Sequence, residues 1–166
     1  MEIINIYGEN RFPEYRKIRE ACRGILINDG KILLTYEVNT DQWFIPGGGR
    51  EGKESIAQCC IRELAEETGC VVHPTLHYLT INEYYVEWLF ISHYFICEIT
   101  GETQRLLTEH EVEAGLEPSW IPLEEAISIF SNYRDDSYHE MKKSAYLREF
   151  MALSEYFKSV AEKISI

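Results

Sequence analysis

The chain has no long apolar run, no paired cysteine spacing and no internal repeat, and these absences exclude several classes of protein. No apolar stretch reaches the roughly 18 residues of a transmembrane helix, and the start at Met1-Glu2 does not have the pattern of a signal peptide. The 5 cysteines are odd in number and include no C-x-x-C spacing, which is typical of free thiols in a reducing compartment. We therefore predict a cytoplasmic protein that has no membrane segment.

Linkers and low-complexity tracts are absent as well, so we predict a single domain over residues 1–166. Basic residues are scarce, with 16 Lys and Arg against 28 Asp and Glu and a net charge of −12. This balance argues against nucleic acid or an anionic membrane as a partner. It does not exclude a small nucleotide ligand, because a bound divalent cation inverts the local charge.

One segment departs from this acidic character. Residues 11–20 carry a cluster of basic side chains, namely Arg11, Arg16, Lys17 and Arg19. Two interpretations stay open: the cluster contacts phosphates of a ligand, or it is a solvated approach to the first buried strand.

A short helix is predicted over residues 56–68. Ser55 is a good N-cap, and Gln58 at the third helical position completes a capping box. Gly69 is the expected C-terminal stop. Before the helix, residues 46–49 contain three glycines, and we predict an irregular loop there.

Three carboxylates share one face of this helix. Glu63, Glu66 and Glu67 stand at positions i, i+3 and i+4, and a separate face is apolar through Ala57, Cys60, Ile61 and Leu64. The carboxylates repel one another and lie in the C-terminal half of the helix, where the macrodipole disfavours anions. A solvated acidic face is the plain alternative, but next to a glycine loop the pattern favours a Mg²⁺ or Mn²⁺ site. Arg62 is placed to pair with Glu66 or to fold back toward Glu54.

Together, residues 48–70 fill the pattern Gly-x5-Glu-x7-Arg-Glu-Leu-x-Glu-Glu-x-Gly with Gly48, Glu54, Arg62, Glu63, Leu64, Glu66, Glu67 and Gly69. This segment resembles the signature of the Nudix hydrolase (MutT-like) family. Cys70 stands where that signature normally has a bulky aliphatic residue, a mild departure because a buried cysteine behaves as a small hydrophobe.

The resemblance implies an α/β fold, the Nudix α/β/α sandwich with a mixed β-sheet between helices. It implies metal-dependent hydrolysis of a nucleoside diphosphate linked to another group, by attack of water at phosphorus. Glu63 and Glu67 would be the principal ligands of Mg²⁺ or Mn²⁺, with Glu66 as a shared ligand or a water-orienting base. The backbone carbonyl of Gly47 would be a further oxygen ligand.

Other box positions are expected to support this site: Gly48, Glu54, Arg62 and Gly69. Family members often add a carboxylate from a later loop, and here Glu109, Glu111 and Glu113 alternate, which predicts one side of an extended segment. We select Glu111 and Glu113 as candidates for the additional acidic residue.

The rest of the chain is predicted to be rich in strands. Strands are expected at residues 21–27, 31–36, 43–45, 70–80, 88–99 and 116–121, with a hairpin turn at Asn28-Asp29-Gly30 and a turn at 82–85. Two helices are expected after Pro122, one through residue 130 and one over residues 139–161, whose apolar stripe would pack on the core or support a homodimer.

Two other functions remain open from the sequence. One is a Nudix-fold module that binds a nucleotide without turnover. The other is a proton-transfer enzyme resembling isopentenyl diphosphate isomerase, which would need a catalytic Cys and Glu. The sequence does not choose among nucleoside triphosphates, ADP-ribose, dinucleoside polyphosphates, sugar nucleotides and coenzyme A derivatives as the substrate.

Overall fold

The computed structural model describes residues 1–7 and 14–164. Within these residues nine strands form two sheets: β1 (Glu2–Tyr7), β2 (Lys17–Ile25), β3 (Ile27–Asn28), β4 (Lys31–Glu37), β5 (Gln42–Phe44), β6 (Gly47–Gly49), β7 (Cys70–Tyr85), β8 (Trp88–Glu102) and β9 (Leu116–Pro122). Four α-helices in the same described ranges are α1 (Ile56–Thr68), α2 (Glu109–Ala114), α3 (Leu123–Ser131) and α4 (Glu140–Ile164). A 3₁₀ turn at Asn132–Arg134 joins α3 to the approach to α4. No helix in the described part of the chain is both long and apolar enough to cross a membrane.

The larger sheet has five strands in the order β1-β7-β8-β2-β6. It is mixed, because β1 runs parallel to β7 and β2 runs parallel to β8, while β7–β8 and β2–β6 are antiparallel. The smaller sheet is built on β4, which pairs with β3, β5 and β9.

Helices cover both faces of the larger sheet. On one face α1 packs Cys60 and Leu64 against Cys22 and Phe95 of the sheet. On the other face Tyr146 and Leu153 of α4 join the main core. The predicted sandwich, a mixed sheet between helices, is confirmed.

Local signals placed several elements correctly. Asp29 and Gly30 have φ of 48° and 72°, the left-handed pair that a tight hairpin needs, and the predicted turn between β3 and β4 is confirmed. Helix α1 begins and ends where its caps predicted. All five cysteines are free thiols, as predicted from their spacing.

The prediction of an irregular loop at residues 46–49 is wrong. Gly47, Gly48 and Gly49 form the edge strand β6, paired in register with Arg23, Cys22 and Ala21 of β2. Glycine weakens a strand through its entropy, but it also permits a close backbone approach that other residues do not. Tertiary pairing with β2 therefore overrides the local preference.

The predicted turn at residues 82–85 is also wrong. These residues continue β7 to Tyr85, and the chain reverses at Val86, whose φ is 53°. Asn82 and Glu83 pair in register with Ile91 and Phe90 of β8, so cross-strand pairing overrides the turn propensity of the asparagine.

The extended acidic segment was a third incorrect prediction. Residues 109–114 form α2, with Thr108 as N-cap and Glu111 completing a capping box. In a helix, alternate residues do not share a face, so Glu109, Glu111 and Glu113 do not line up as predicted. Thr-x-x-Glu was the signal for this helix, and the alternation of charges obscured it.

The basic segment is described from residue 14 onward, and Arg11 lies outside the described residues. Strand β2 begins at Lys17, earlier than predicted, so Lys17 and Arg19 belong to the sheet. The solvated approach to the first buried strand is therefore shorter than the sequence indicated.

A buried ionic cluster fixes α4 on the larger sheet. Arg148 donates to Glu83 of β7 at 3.2 Å and to Glu149 at 2.9 Å, and its Nε donates to the hydroxyl of Tyr94 at 3.1 Å. Glu149 is fully buried and also lies 3.8 Å from Nε of Arg23 on β2. One carboxylate therefore faces two guanidinium groups in the interior.

We expect Glu149→Gln to lower the free energy of unfolding by about 3 kcal/mol, because Arg23 loses its buried counter-charge and Arg148 keeps only Glu83. The measurement is urea denaturation at neutral pH. Glu140→Gln is the control, since its side chain lies in the same helix but is 78% exposed, and we expect a change below about 0.5 kcal/mol. Equal effects of the two substitutions would contradict the role given to Glu149.

Candidate active site

Helix α1 presents the acidic face, and its two caps set its register. Ser55 accepts a hydrogen bond from the backbone N–H of Gln58 at 3.1 Å, and the Gln58 side chain accepts from the N–H of Ser55 at 2.8 Å. Gly69 ends the helix with φ of 75°, in the left-handed region. With both ends fixed, Glu63 and Glu67 are carried to the edge strand β6.

The glycines of β6 allow this contact. A Cβ on Gly48 would lie 2.5 Å from a carboxylate oxygen of Glu63. Gly47 has φ of 142°, and a Cβ there would collide with the carbonyl oxygen of Cys22. The side-chain-free surface at Gly48 is therefore the place where the Glu63 carboxylate rests.

Arg62 connects the acidic residues. It donates to both carboxylate oxygens of Glu54, at 2.7 and 3.1 Å, and to the carbonyl of Gly49 at 2.9 Å. It also donates to Glu63 at 2.8 Å and Glu66 at 3.0 Å. The two pairings that the sequence left open, with Glu66 and with Glu54, therefore coexist. Hydrogen bonds from Arg62 lower the pKa of Glu54 to about 2.

Glu63 and Glu67 are both buried, at 7% exposure. Loss of hydration is the main cause that raises the pKa of each, and for Glu67 it outweighs the hydrogen bond from the Gly47 N–H and raises the pKa to about 8. Glu66 is more open, with 31% of its side chain exposed. The acidic face therefore has two buried carboxylates and one that water reaches.

The N–H and the carbonyl of Gly47 both form hydrogen bonds with side chains. Its N–H donates to Glu67 at 2.9 Å, and its carbonyl, which we predicted as a metal ligand, accepts a long hydrogen bond of 3.4 Å from Arg23. Arg23 also donates to the carbonyl of Ile45 at 2.9 Å, and it faces Glu149 on α4. Arg23 was not among the predicted site residues, although an arginine within the apolar run of 21–27 is a visible signal.

The two candidates for an additional acidic residue, Glu111 and Glu113, have different surroundings in the structure. The charge of Glu111 lies close enough to raise the pKa of both Glu63 and Glu67. Its side chain accepts a hydrogen bond from the N–H of Thr108 at 2.7 Å. Glu113 is exposed, and its carbonyl accepts a hydrogen bond from Asn39. Glu111 is therefore the candidate whose charge acts on the acidic face.

The donor set fits a hard divalent cation in kind. Carboxylates that raise one another's pKa are relieved by a cation, and carboxylate and carbonyl oxygens are the ligands that Mg²⁺ prefers. Among the described residues, no group of three or more His, Cys, Asp or Glu side chains already stands in an arrangement for a metal ion. The reason is local: Arg62 occupies Glu63 and Glu66, and Glu67 is turned to the N–H of Gly47. A cation would therefore compete with Arg62 for two carboxylates.

Three other side chains of a kind found in active sites are packed or hydrogen-bonded. Trp43 lies against Tyr36, with ring centroids 4.6 Å apart, so it belongs to the core. Cys59 is buried, with its thiol 3.6 Å from the carbonyl of Gly48. His93 is held by Glu20 at 2.9 Å and by the hydroxyl of Thr80 at 3.1 Å, so both of its ring nitrogens have partners.

Comparison with known proteins adds a family assignment. Residues 18–142 match the family model described as the NUDIX domain. The chain is 28% identical over 126 residues to diphosphoinositol polyphosphate phosphohydrolase 3-alpha of Mus musculus, a match that covers 74% of each protein. It is 35% identical over 60 residues to the Nudix hydrolase YvcI of Bacillus subtilis (strain 168), covering 36% of this chain and only 38% of that relative.

Solved structures show the same fold. The MutT protein from Methanosarcina mazei Go1 has a TM-score of 0.56 at 19% identity, covering 89% of this chain and 99% of that chain. An ADP-ribose pyrophosphatase from Streptococcus suis 89-1591 has a TM-score of 0.55 at 18% identity, covering 84% of this chain and 91% of that chain. At these identities the likeness concerns the fold alone.

The raised pKa of Glu67 predicts how stability depends on pH in metal-free buffer. Below its ordinary value near 4.5 the carboxyl is protonated in both states; between there and about 8 the folded protein keeps a proton that the unfolded chain releases. The free energy of unfolding should therefore fall as pH rises through this window, by up to about 1.4 kcal/mol per pH unit from this group.

Glu67→Gln removes this titration, and we expect its stability to fall less steeply between pH 5 and pH 8 than that of the wild type. The measurement is urea denaturation in EDTA across this range. Glu98→Gln, an exposed carboxylate of β8, is the control. Parallel pH profiles for the wild type and Glu67→Gln would show that Glu67 titrates normally.

Proposed function

The chain belongs to the NUDIX domain family and is a Nudix hydrolase, and from that premise we propose that it cleaves the pyrophosphate bond of a nucleoside diphosphate linked to another group. Water would attack at phosphorus, with Mg²⁺ or Mn²⁺ as cofactor. The products would be a nucleoside monophosphate and the phosphorylated partner group, or pyrophosphate when the substrate is a triphosphate.

The observation that carries this proposal is the position of two carboxylates, those of Glu63 and Glu67, against a strand without side chains. Glu63 rests on Gly48, and Glu67 accepts the N–H of Gly47, so the acidic face of α1 is held at the edge of β6. Negative charge concentrated at such an edge is costly unless a cation or a proton compensates it.

We assign the metal to Glu63, Glu66 and Glu67 with the carbonyl of Gly47. When bound, a divalent cation would neutralise the pyrophosphate and acidify a water molecule. Glu66 is the most exposed of the three carboxylates and is therefore the one we assign to orient water as well.

The other box residues position this set. Arg62 ties α1 to Glu54 and to the carbonyl of Gly49, and it neutralises part of the acidic face. Gly48 leaves room for Glu63, and Gly69 ends α1 so that β7 can enter the sheet. We assign Gly48, Glu54, Arg62 and Gly69 to positioning α1 and its carboxylates, and none of them to contact with the reacting atoms.

The charge of the protein and the names of its relatives both bear on the substrate class. Relatives are named for ADP-ribose and for diphosphoinositol polyphosphates. A net charge of −12 favours a ligand with few phosphates over a densely charged polyanion, because each added phosphate meets the field of the whole protein. We therefore place nucleoside diphosphate compounds before inositol pyrophosphates and capped RNA. The cytoplasmic location and a homodimer through α4 stay predictions.

The isomerase alternative is not favoured. Cys22, Cys59, Cys60 and Cys97 are buried, and Cys70 is only partly exposed. The binding module without turnover differs from our proposal only in activity, and activity separates the two.

A chromatographic screen for the cleavage products, with Mg²⁺ or Mn²⁺ over each nucleotide class and with ADP-ribose and an inositol pyrophosphate included, tests the proposal. We expect turnover of one class, and a loss of at least about 100-fold in the double variant Glu63→Gln/Glu67→Gln, since two metal ligands are removed. Glu98→Gln is the matched control and should keep full activity. A folded wild-type protein that turns over no class would support the binding module instead.

The later carboxylate gives a sharper comparison. We expect Glu111→Gln to reduce kcat by about tenfold or more, because its charge acts on both buried carboxylates, whereas Glu113→Gln should leave kcat unchanged. Steady-state kinetics with the substrate from the screen measures both. Since Glu111 also caps α2, thermal unfolding of the two variants checks that a loss of rate is not a loss of fold. Equal rates for the wild type and Glu111→Gln would remove this residue from the site.

A further inference from the structure

The exposed part of the larger sheet next to β6 carries cations and aromatic rings in register. Strands β2 and β8 are parallel there, with Lys17 paired to Trp88 and Arg19 paired to Phe90. Residues paired across neighbouring strands point to the same face. The sheet therefore sets two cationic side chains beside two rings on one surface.

Arg19 is the unusual member of this surface. It is exposed, and its guanidinium lies beside β6, where a Cβ on Gly49 would be 3.8 Å from Nη2. Within the described part of the chain its side chain has no hydrogen bond and no ion pair. By contrast, Arg50 and Arg62, which also lie near β6, are each paired to a carboxylate. In a chain with 28 acidic and 16 basic residues, an arginine without a partner beside the box points to an anionic ligand.

The position of Arg19 relative to the acidic face follows from β6. Glu63 rests against Gly48, and Arg19 rests against Gly49, the next residue. Neighbouring residues of a strand face opposite sides and have Cα atoms about 3.8 Å apart. A pyrophosphate that crosses this edge would meet the carboxylate site on one side and a guanidinium on the other.

Two rings extend the surface away from β6. Phe90 and Trp88 are stacked, with centroids 5.6 Å apart and an angle of 15° between the ring planes. Nζ of Lys17 lies 5.2 Å from the ring centroid of Trp88. Both rings are partly exposed although they are large and apolar. Partly exposed stacked rings are a surface on which a planar group can stack.

We propose that Arg19, Phe90 and Trp88 form the subsite that selects a nucleoside diphosphate, with Arg19 binding its phosphate and the rings stacking its base. This inference rests on the proposed function, because it takes the acidic face of α1 as the reaction centre. It assigns the substrate class to a surface outside the box, and it gives the basic cluster of residues 11–20 a definite member in contact with phosphate.

Two kinds of stable probe separate the two contacts. The α,β-methylene analogues of ADP and UDP carry a base and a diphosphate, and methylenediphosphonate carries the diphosphate group alone. Isothermal titration of the full chain with each probe and Mg²⁺ gives the affinities. We expect Arg19→Gln to weaken the binding of all probes by on the order of tenfold, because the substitution removes the positive charge that would pair with the phosphate. Arg19→Lys restores a positive charge and should recover part of the affinity. We expect Phe90→Leu to weaken only the nucleotide analogues, by roughly 5-fold to 100-fold.

The control variants remove a guanidinium and a phenyl ring that lie outside the proposed subsite. Arg134→Gln removes an exposed guanidinium that contacts only the ring of Tyr133 in the described structure, and Phe157→Leu removes a ring of α4 that is 38% exposed. Both should bind every probe as the wild type does. Equal affinities in the wild type, Arg19→Gln and Phe90→Leu, or a failure of all probes to bind, would overturn the subsite.

Turnover distinguishes this inference from the function on which it rests. If the substrate from the screen is hydrolysed with an unchanged KM in Arg19→Gln and Phe90→Leu, the subsite is wrong and the hydrolase stands. If the probes bind as expected but no class is hydrolysed, the subsite stands and the proposed hydrolysis is wrong. In the expected result KM rises at least about fivefold in both variants while kcat stays near the wild-type value.

Discussion

The contacts of a single guanidinium keep the acidic face of α1 in place. Arg62 reaches Glu54, Glu63, Glu66 and the carbonyl of Gly49, so the loop before α1, the helix itself and the edge strand all meet at one side chain. Without it, carboxylates at neighbouring helical positions would repel one another at the unfavourable end of the helix dipole. The caps at Ser55 and Gly69 fix the register that makes these contacts possible. The same few interactions therefore set both the stability of this region and its capacity to bind a cation. A cation and Arg62 would compete for the same carboxylates.

Edge strand β6 separates two chemical environments. Gly48 gives Glu63 its place on one side, and Gly49 leaves space for Arg19 on the other. A side chain at Gly48 would displace Glu63, and one at Gly47 would collide with the carbonyl of Cys22, so these two glycines serve close contact more than flexibility. The strand is held to β2 through Arg23, whose guanidinium reaches back to the carbonyls of Ile45 and Gly47.

Much of this arrangement follows from the sequence because it depends on short-range signals. The helix at 56–68 has a capping box and a terminal glycine, and Asp29-Gly30 has the chemistry of a tight hairpin, so both were predictable. The strand at Gly47–Gly49 was not, because it exists only through pairing with β2. Likewise, Asn82 has turn propensity but lies within β7 because β8 pairs with it. The positions of Arg23 and Arg19 matter because of neighbours that are distant in sequence, namely Glu149 for Arg23 and Gly49 for Arg19. Within the site, the spacing placed the carboxylates, and the tertiary structure decided which are buried.

The ionic cluster beneath α4 limits how far the chain can be shortened from its C-terminal end. The match to the family model ends at residue 142, within the first turn of α4. Glu149 lies beyond that point, yet its carboxylate is the counter-charge of Arg23, which holds the backbone of Gly47. A shortened chain cut at the family boundary would leave Arg23 and Glu83 facing an unfilled interior. We therefore expect a folded form of this protein to need α4 as far as the turn that contains Glu149, beyond the residues matched by the family model.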